Sequence, residues 1–296
     1  MRRLIAAFVL FLALPVLADV VIRTRDGSVF RLPINPQDIV SIEMAPSGVQ
    51  SPAPPPQMAP AAPAPAPAQV SGLGAPWVVN SNGNIFRGDG RSWQDMPGLA
   101  KDIGVSVNGA VWVIGTNPLP GGFGIYRLLR GNWEPVDGAA VRVAVDSSGA
   151  PWVVNSEGRI YRRTSNGWQE MPGRAVDIGA GGNGQVWVIG TDSTPGGFGI
   201  YRWSGSDWNR VDGGAVRIAV GPSGNPWVVN SEGRIFSRET GSWTELPGRA
   251  RDIAVSAGGT AWVIGTDNVP GGQSIHYWSG SSWVRIEGGA VGIAAR

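Results

Sequence analysis

The sequence predicts an all-β chain: a six-bladed β-propeller closed by its own C-terminal strand, with a small N-terminal β-hairpin ahead of it. Three observations carry this. The composition holds 45 Gly, 24 Pro and 14 Trp among 296 residues, and only 16% of residues are charged. That balance suits short strands joined by tight turns and opposes long helices. The phrase PWVVN starts at residues 76, 151 and 226, and WVIGT starts at 112, 187 and 262, so each recurs every 75 residues. The period splits into alternating units of 35 and 40 residues, the length of a four-stranded propeller blade.

Residues 1–18 read as a signal peptide: Arg2 and Arg3, an apolar run from Leu4 to Leu17, then Val16-Leu17-Ala18 as a cleavage site. The run is shorter than the roughly 20 residues that span a bilayer, so no transmembrane segment is expected after cleavage. The expected location is secreted or periplasmic. Without Arg2 and Arg3, 22 basic residues face 22 acidic ones, and Lys101 is the single lysine. No basic stripe remains to follow a phosphate backbone, so nucleic acid is not an expected partner. The absence of cysteine removes disulfides, thiolate metal sites and thiol nucleophiles.

Residues 19–44 contain VVIRTRDGSVFRLPI and DIVSIEM, alternating segments around an Asp26-Gly27 turn, which predict a hairpin with a third strand. This segment is too poor in apolar residues to form a core alone, so it docks on the propeller or on a cell-surface or periplasmic protein. Residues 45–69, dominated by Pro and Ala, predict an extended polyproline II spacer. The propeller then covers residues 70–296.

Each unit reads as four short strands marked by two tryptophans. The first series is Trp77, Trp112, Trp152, Trp187, Trp227 and Trp262, and the second is Trp93, Trp133, Trp168, Trp208, Trp243 and Trp283. A strand opening with Ala follows at Ala100, Ala140, Ala175, Ala215, Ala250 and Ala290. The first unit lacks that strand ahead of Trp77, and the last such strand, GAVGIAAR, has no unit after it. Joining the two removes the open edges of the array. Gly98, Gly138, Gly173, Gly213, Gly248 and Gly288 stand where the chain crosses between units, where a positive φ explains glycine.

The unit pattern G-x-x-W-x-V, G-x-I-Y-R, W-x-x-x-x-G-x-A-x-D-I resembles the tectonin repeat of tectonins, tachylectin-type lectins and fish-egg lectins. Residues 158–178, GRIYRRTSNGWQEMPGRAVDI, follow it almost position for position, and the likeness covers roughly residues 72–296. The resemblance implies a six-bladed propeller that binds carbohydrates, including lipopolysaccharide and O-methylated sugars. Two units depart from the pattern: Ser237 stands in place of Arg, and SIHYW replaces GIYRW, with His276 at the aromatic position.

Enzymatic machinery is sparse, so no enzyme activity, cofactor or metal is expected. His276, the only histidine, falls where the other units carry Phe86, Tyr126, Tyr161, Tyr201 and Phe236, and reads as an aromatic replacement. The PGGFG segments join strands and do not open a helix, so they are no dinucleotide fingerprint. The third position of the inner strand reads Asp102, Arg142, Asp177, Arg217, Asp252 and Gly292, an alternation of charge. It predicts ion pairs between neighbouring blades, Asp177 with Arg217 among them; the competing reading is a polar channel for an ion or small ligand.

The connection between the second and third strands is short in one class of unit (NSNGN, NSEGR) and long in the other (GTNPLPGGFG, GTDSTPGGFG, GTDNVPGGQS). The long class predicts three loops around one face. Phe123 and Phe198 with Asn117, Asp192 and Asp267 then offer an apolar floor and hydrogen-bonding groups for a sugar. The alternative is a tight loop with each Phe tucked onto its own blade. Arg127 and Arg202 line the same grooves or coat strands, and Trp203 and Trp278, outside both tryptophan series, complete the candidate set. The expected function is a multivalent lectin-like protein with glycans or lipopolysaccharide as partners. The alternative is a non-enzymatic protein-interaction scaffold in the periplasm or at the cell surface.

Overall fold

In a computed structural model, residues 74–89 and 92–296 are described with their side chains, as is the backbone of two earlier strands, β1 (Asp19–Arg23) and β2 (Val29–Pro33). These two pair antiparallel, Asp19 opposite Pro33 and Arg23 opposite Val29, and the expected Asp26-Gly27 turn lies outside the described residues. The expected leader at 1–18, the third strand of the N-terminal segment and the Pro/Ala spacer at 45–69 lie outside the described residues.

From Pro76 on, the described chain is strand, turn and bend with no helix. It opens with β3 (Pro76–Val79), β4 (Asn84–Gly88), β5 (Trp93–Val105), β6 (Val111–Leu119), β7 (Gly122–Leu129) and β8 (Asn132–Ala140). Next come β9 (Arg142–Val145), β10 (Pro151–Val154), β11 (Arg159–Thr164), β12 (Gly167–Arg174), β13 (Asp177–Ala180), β14 (Val186–Thr194), β15 (Gly197–Trp203) and β16 (Trp208–Ala215). The chain finishes with β17 (Arg217–Val220), β18 (Pro226–Val229), β19 (Ile235–Ser237), β20 (Thr244–Leu246), β21 (Asp252–Val255), β22 (Ala261–Val269), β23 (Gly272–Trp278), β24 (Trp283–Ala290) and β25 (Gly292–Ala295).

Four sheets are simple antiparallel meanders of four strands: β9 to β12, β13 to β16, β17 to β20 and β21 to β24. The remaining strands make one sheet in the order β25-β3-β4-β5-β6-β7-β8. Its long member β5 pairs with β4 through Trp93–Leu99 and with β6 through Ala100–Val105. The first strands of the meanders pack side by side, β5 on β9, β9 on β13, β13 on β17, β17 on β21, β21 on β25 and β25 on β5. Meanders arranged around their first strands form a β-propeller.

The strand patterns follow from this packing. The short second strands, PWVV in β3, β10 and β18, are buried at every position because a neighbouring sheet covers each face, and the longer β6, β14 and β22 are buried over their first five residues. In the third strands one isoleucine per unit (Ile85, Ile125, Ile160, Ile200, Ile235, Ile275) is 0–1% exposed. Each such burial contributes about 1.5–3 kcal/mol. The core lies between sheets: Trp112, Ile114, Ile125 and Ala140 of one sheet pack on Val143, Val145 and Val153 of the next.

The two tryptophan series differ in role. The first is 0–6% exposed, while the second is half-buried at the seams between sheets. There each indole Nε1 donates to a backbone carbonyl of the preceding repeat unit, which for Trp133 lies within the seven-stranded sheet. Trp133 bonds Pro97 at 2.6 Å, Trp168 bonds Asp137 at 2.7 Å, and Trp208 bonds Pro172 at 2.8 Å. Trp243 bonds Asp212 at 2.8 Å, Trp283 bonds Pro247 at 2.7 Å, and Trp93 bonds Glu287 at 2.7 Å. The residue after each acceptor is one of the crossing glycines. Its φ is positive, and the close approach of the ring is a second reason for glycine: a Cβ on Gly138 (φ +96°) would sit 3.0 Å from Trp168 Nε1.

Candidate functional site

The segments expected as long loops are strand. β6 and β7, β14 and β15, and β22 and β23 run on past a bulge and close through two-residue turns at Pro120-Gly121, Pro195-Gly196 and Pro270-Gly271. Paired glycines of positive φ permit this: a Cβ on Gly122 would strike the Ala140 carbonyl oxygen at 2.5 Å, so the tip lies flat against the outer strand. Each tip also joins the next sheet. The backbone N–H groups of Ser156, Ser231 and Ser81 donate to the carbonyls of Gly121, Gly196 and Gly271, all at 2.9 Å. The serines belong to the short NSEGR and NSNGN turns, so the long class of hairpin fastens onto the short class.

The candidate residues named from sequence divide into separate places. Asn117 accepts a hydrogen bond from the Tyr126 hydroxyl at 2.9 Å, and Asp192 accepts one from Tyr201 at 2.9 Å and another from Arg210. Burial raises the Asp192 carboxyl, but those two donors outweigh it and hold the group below its usual value. Asp267 is exposed, beside the His276 that replaces the tyrosine. Phe123 and Phe198 pack against the apolar clusters that join their own sheet to the next, with the Lys101 ammonium 4.6 Å from the Phe123 ring centre.

Arg127 and Arg202 stack on Trp112 and Trp187 at 5.7 and 5.9 Å, as Arg87 and Arg162 do on Trp77 and Trp152. Four strand positions separate each Phe from its Arg, about 13 Å, so they do not share one groove. Trp203 and Trp278 pack on Trp208 and Trp283, with ring centres 4.9 and 5.0 Å apart.

A better-formed recess lies beneath the hairpin tips, at the seams. Pro120, Gly121, Ile125, Gly138 and Ala139 of one sheet face Val153, Asn155, Tyr161 and Trp168 of the next across a cleft of about 210 Å³. Its counterpart is formed by Pro270, Gly271, Ile275, Gly288 and Gly289 against Val78, Asn80, Phe86 and Trp93, and holds about 170 Å³. The sequence repeats the same residue types once more, as Pro195, Gly196, Ile200, Gly213, Val228, Asn230, Phe236 and Trp243. Aromatic and aliphatic walls with one amide at the rim suit the apolar face of a ring bearing hydroxyls. The Asn155 Oδ1 is occupied by the N–H groups of Glu157 and Arg159 at 3.0 and 2.8 Å, which fixes the amide in place. Sequence reasoning missed Asn155, Tyr161 and Trp168 as a group because each cleft is built from two units. The signal was present in the paired recurrence of Pro-Gly tips and NS turns.

The charged ring is present, with a different pairing. Arg142 reaches Asp102 at 3.3 Å and Asp177 at 3.5 Å, whereas Arg217 reaches Asp252 at 3.7 Å. In place of the expected Asp177–Arg217 pair, each arginine reaches forward to the carboxylate of the next inner strand, Arg142 to Asp177 and Arg217 to Asp252, while each carboxylate accepts a backbone N–H from the strand after its own. Asp102 accepts from the Val143 N–H at 2.7 Å, Asp177 from Ile218 at 2.8 Å, and Asp252 from Ile293 at 3.0 Å. Burial pushes the Asp102 carboxyl up, against Arg142. It pushes Asp252 up to about 7, against Arg217 and Arg142 and with the repulsion of Asp177 and Asp102. His276 Nε2 lies 2.9 Å from the buried Ser274 hydroxyl, and burial followed by Arg285 lowers the imidazole against the pull of Asp267. Among the described residues no three His, Cys, Asp or Glu side chains are grouped to hold a metal, and no helix is long and apolar enough to cross a membrane.

A family model described as the tectonin domain matches residues 122–195 and 188–269. None of the curated proteins matches the chain. Among solved structures, a protein of unknown function from Bacteroides caccae is 10% identical, with 75% of this chain and 98% of that one covered and a TM-score of 0.50. The WD40 β-propeller domain of Doa1 is 12% identical over 74% and 80% of the two chains, with a TM-score of 0.49. YCF48 bound to D1 peptide is 15% identical over 72% and 78%, with a TM-score of 0.46.

Proposed function

Because the chain belongs to the tectonin domain family, we propose that it is a non-enzymatic, lectin-like propeller that binds surface glycans through pseudo-equivalent seam clefts. The observation that carries this reading is the repetition of the cleft: Tyr161 and Trp168 under Pro120-Gly121, then Phe86 and Trp93 under Pro270-Gly271. A recess of about 200 Å³ takes one sugar ring or an O-methyl substituent, and several weak sites on one rigid disc gain strength on a repetitive glycan such as lipopolysaccharide.

The disc itself is six-bladed and closed. Dividing the seven-stranded sheet at Leu99/Ala100 of β5 yields two blades, and the pairing of Gly292, Ile293, Ala294 and Ala295 with Val79, Val78, Trp77 and Pro76 supports closure by β25. The leader-like residues 1–18 support export to the periplasm or beyond, where such glycans are displayed.

The test is a glycan array followed by titration calorimetry of the hits. Binding competed by free or O-methylated monosaccharide, and weakened at least about tenfold when Tyr161 and Phe86 are both changed to Ala, is expected. An array without hits, or hits indifferent to both substitutions, overturns the proposal.

A further inference from the structure

The seam clefts share one polar side chain. Asn155 lines the first cleft and Asn80 the second, and Asn230 stands at the matching place of the remaining repeat. Each closes a tight turn with its side-chain oxygen. Asn155 Oδ1 accepts the N–H groups of Glu157 and Arg159 at 3.0 and 2.8 Å, and Asn230 Oδ1 those of Glu232 and Arg234 at 3.0 and 2.9 Å. Asn80 Oδ1 accepts those of Asn82 and Asn84 at 3.0 and 2.9 Å. Two donors on one oxygen settle which end of each amide is nitrogen and leave its two hydrogens over.

The turn does not account for the amide. Asp146 closes the same turn in the connection before Asn155, its Oδ1 accepting the N–H groups of Ser148 and Ala150 at 3.0 and 3.1 Å, so a carboxylate serves the backbone equally well. The second oxygen of Asp146 is used by Trp152 Nε1 at 3.2 Å. Asn155 Nδ2, in contrast, makes no hydrogen bond among the described residues. Asn155 and Asn230 are only 9% and 7% exposed. Their Nδ2 atoms nevertheless keep contact with solvent, because among the described residues the sealed side-chain atom without a partner is Arg159 Nε. For Asn155 the opening is the cleft: a Cβ on the tip glycine Gly121 would lie 3.8 Å from Nδ2, and both residues line the recess.

The other groups around the amide are already used. In the second cleft the remaining side chains are Val78, Phe86, Trp93, Pro270 and Ile275, and Trp93 Nε1 is held by the Glu287 carbonyl. The Gly271 tip carbonyl takes the Ser81 N–H. The first cleft adds the Tyr161 hydroxyl, beside the Arg159 guanidinium. A buried amide nitrogen that only donates is fully matched by an ether or acyl oxygen. A hydroxyl at the same point brings its own hydrogen in among apolar walls.

We propose that Asn155, Asn230 and Asn80 set the specificity of the seam clefts, each donating from Nδ2 to an oxygen that accepts and carries no hydrogen. The preferred substituent is then an ether or acyl group whose carbon end lies on the aromatic wall. This inference rests on the reading of the clefts as sugar sites.

The probes are glucose, galactose and mannose on one array, each with its hydroxyls free, O-methylated and O-acetylated. The masked forms should bind at least about fivefold more tightly than the free form of the same sugar. The triple variant Asn80→Asp, Asn155→Asp, Asn230→Asp keeps the turn oxygen and replaces the donor. It should still melt cooperatively, and the preference should vanish, an outcome that a purely structural asparagine does not produce. A preference unchanged in the triple variant, or tighter binding of the free sugars, overturns the inference. If Tyr161→Ala with Phe86→Ala still weakens that binding, the lectin-like reading survives without it, whereas an array with no hits removes both. Should the triple variant not fold, the Asn155 side-chain amide resonances of the parent decide. They shift on titration with the tightest masked sugar if the amide is the donor, and their staying in place overturns the inference.

Discussion

Changing Arg142 to Met and Asp177 to Asn, singly and together, tests the pairing in the charged ring against the pairing suggested by sequence order. Met keeps most of the aliphatic stem, and Asn keeps an oxygen for the Ile218 N–H that Asp177 accepts at 2.8 Å. The pair Arg142 Nε–Asp177 Oδ1 is 3.5 Å apart, with side chains 23% and 8% exposed. Its gross attraction is about 5 kcal/mol at an effective dielectric constant of 20. Exposed pairs couple by about 0.2–1 kcal/mol, and breaking a fully buried pair costs about 3–5 kcal/mol. This largely but not fully buried pair should couple by about 1–2 kcal/mol. The assay is urea unfolding followed by tryptophan fluorescence, with the interaction energy read from the four corners of the cycle. The matching cycle of Arg217→Met with Asp177→Asn should give less than half that value, because Arg217 turns to Asp252 at 3.7 Å. Equal coupling in both cycles, or coupling below about 0.3 kcal/mol at Arg142–Asp177, refutes the reasoning.

Removing residues 289–296 deletes β25 and uncovers β3, so Tm should fall by about 10 °C or more; melting unchanged by the deletion sinks closure by the tail. Asp252 titrates at about 7 in the folded chain against an ordinary 3.8. The folded state therefore holds this proton more tightly than the unfolded state. Stability from it is complete below pH about 4 and declines as pH rises to about 7, by at most about 4 kcal/mol. Asp252→Asn should flatten that stretch of a stability–pH curve, and a curve of unchanged slope contradicts the assignment. Gly138→Ala should cost about 2 kcal/mol or more, since it combines a φ of +96° with a Cβ 3.0 Å from Trp168 Nε1. Gly131→Ala, with φ +84° and nothing within 4 Å, should cost about 1 kcal/mol. Equal losses in chemical denaturation remove the steric role given to the seam tryptophan.

Much of the fold was legible because the repeat is a local signal. Trp152 and Trp227 lie in identical PWVV strands 75 residues apart, and both strands are buried at every position. The site was harder to read. Phe123, Asn117 and Arg127 share one hairpin, and closeness in sequence suggested one groove, but strand geometry spreads them along its length. Tyr161 and Trp168 meet Pro120 and Ile125 only where two units abut, and no spacing within a unit records that contact.

Periodicity, strand alternation and glycine placement are properties of short segments, so the amino-acid order was sufficient for the repeat, the tryptophan series and the alternation of charge. Which carboxylate an arginine reaches depends on how one inner strand is placed against the next, and whether a hairpin stands free or lies against its neighbour depends on seam packing. Asp177 turning to Arg142, and Gly121 receiving the Ser156 N–H, are decided by distances between segments that the chain brings together only when the sheets assemble.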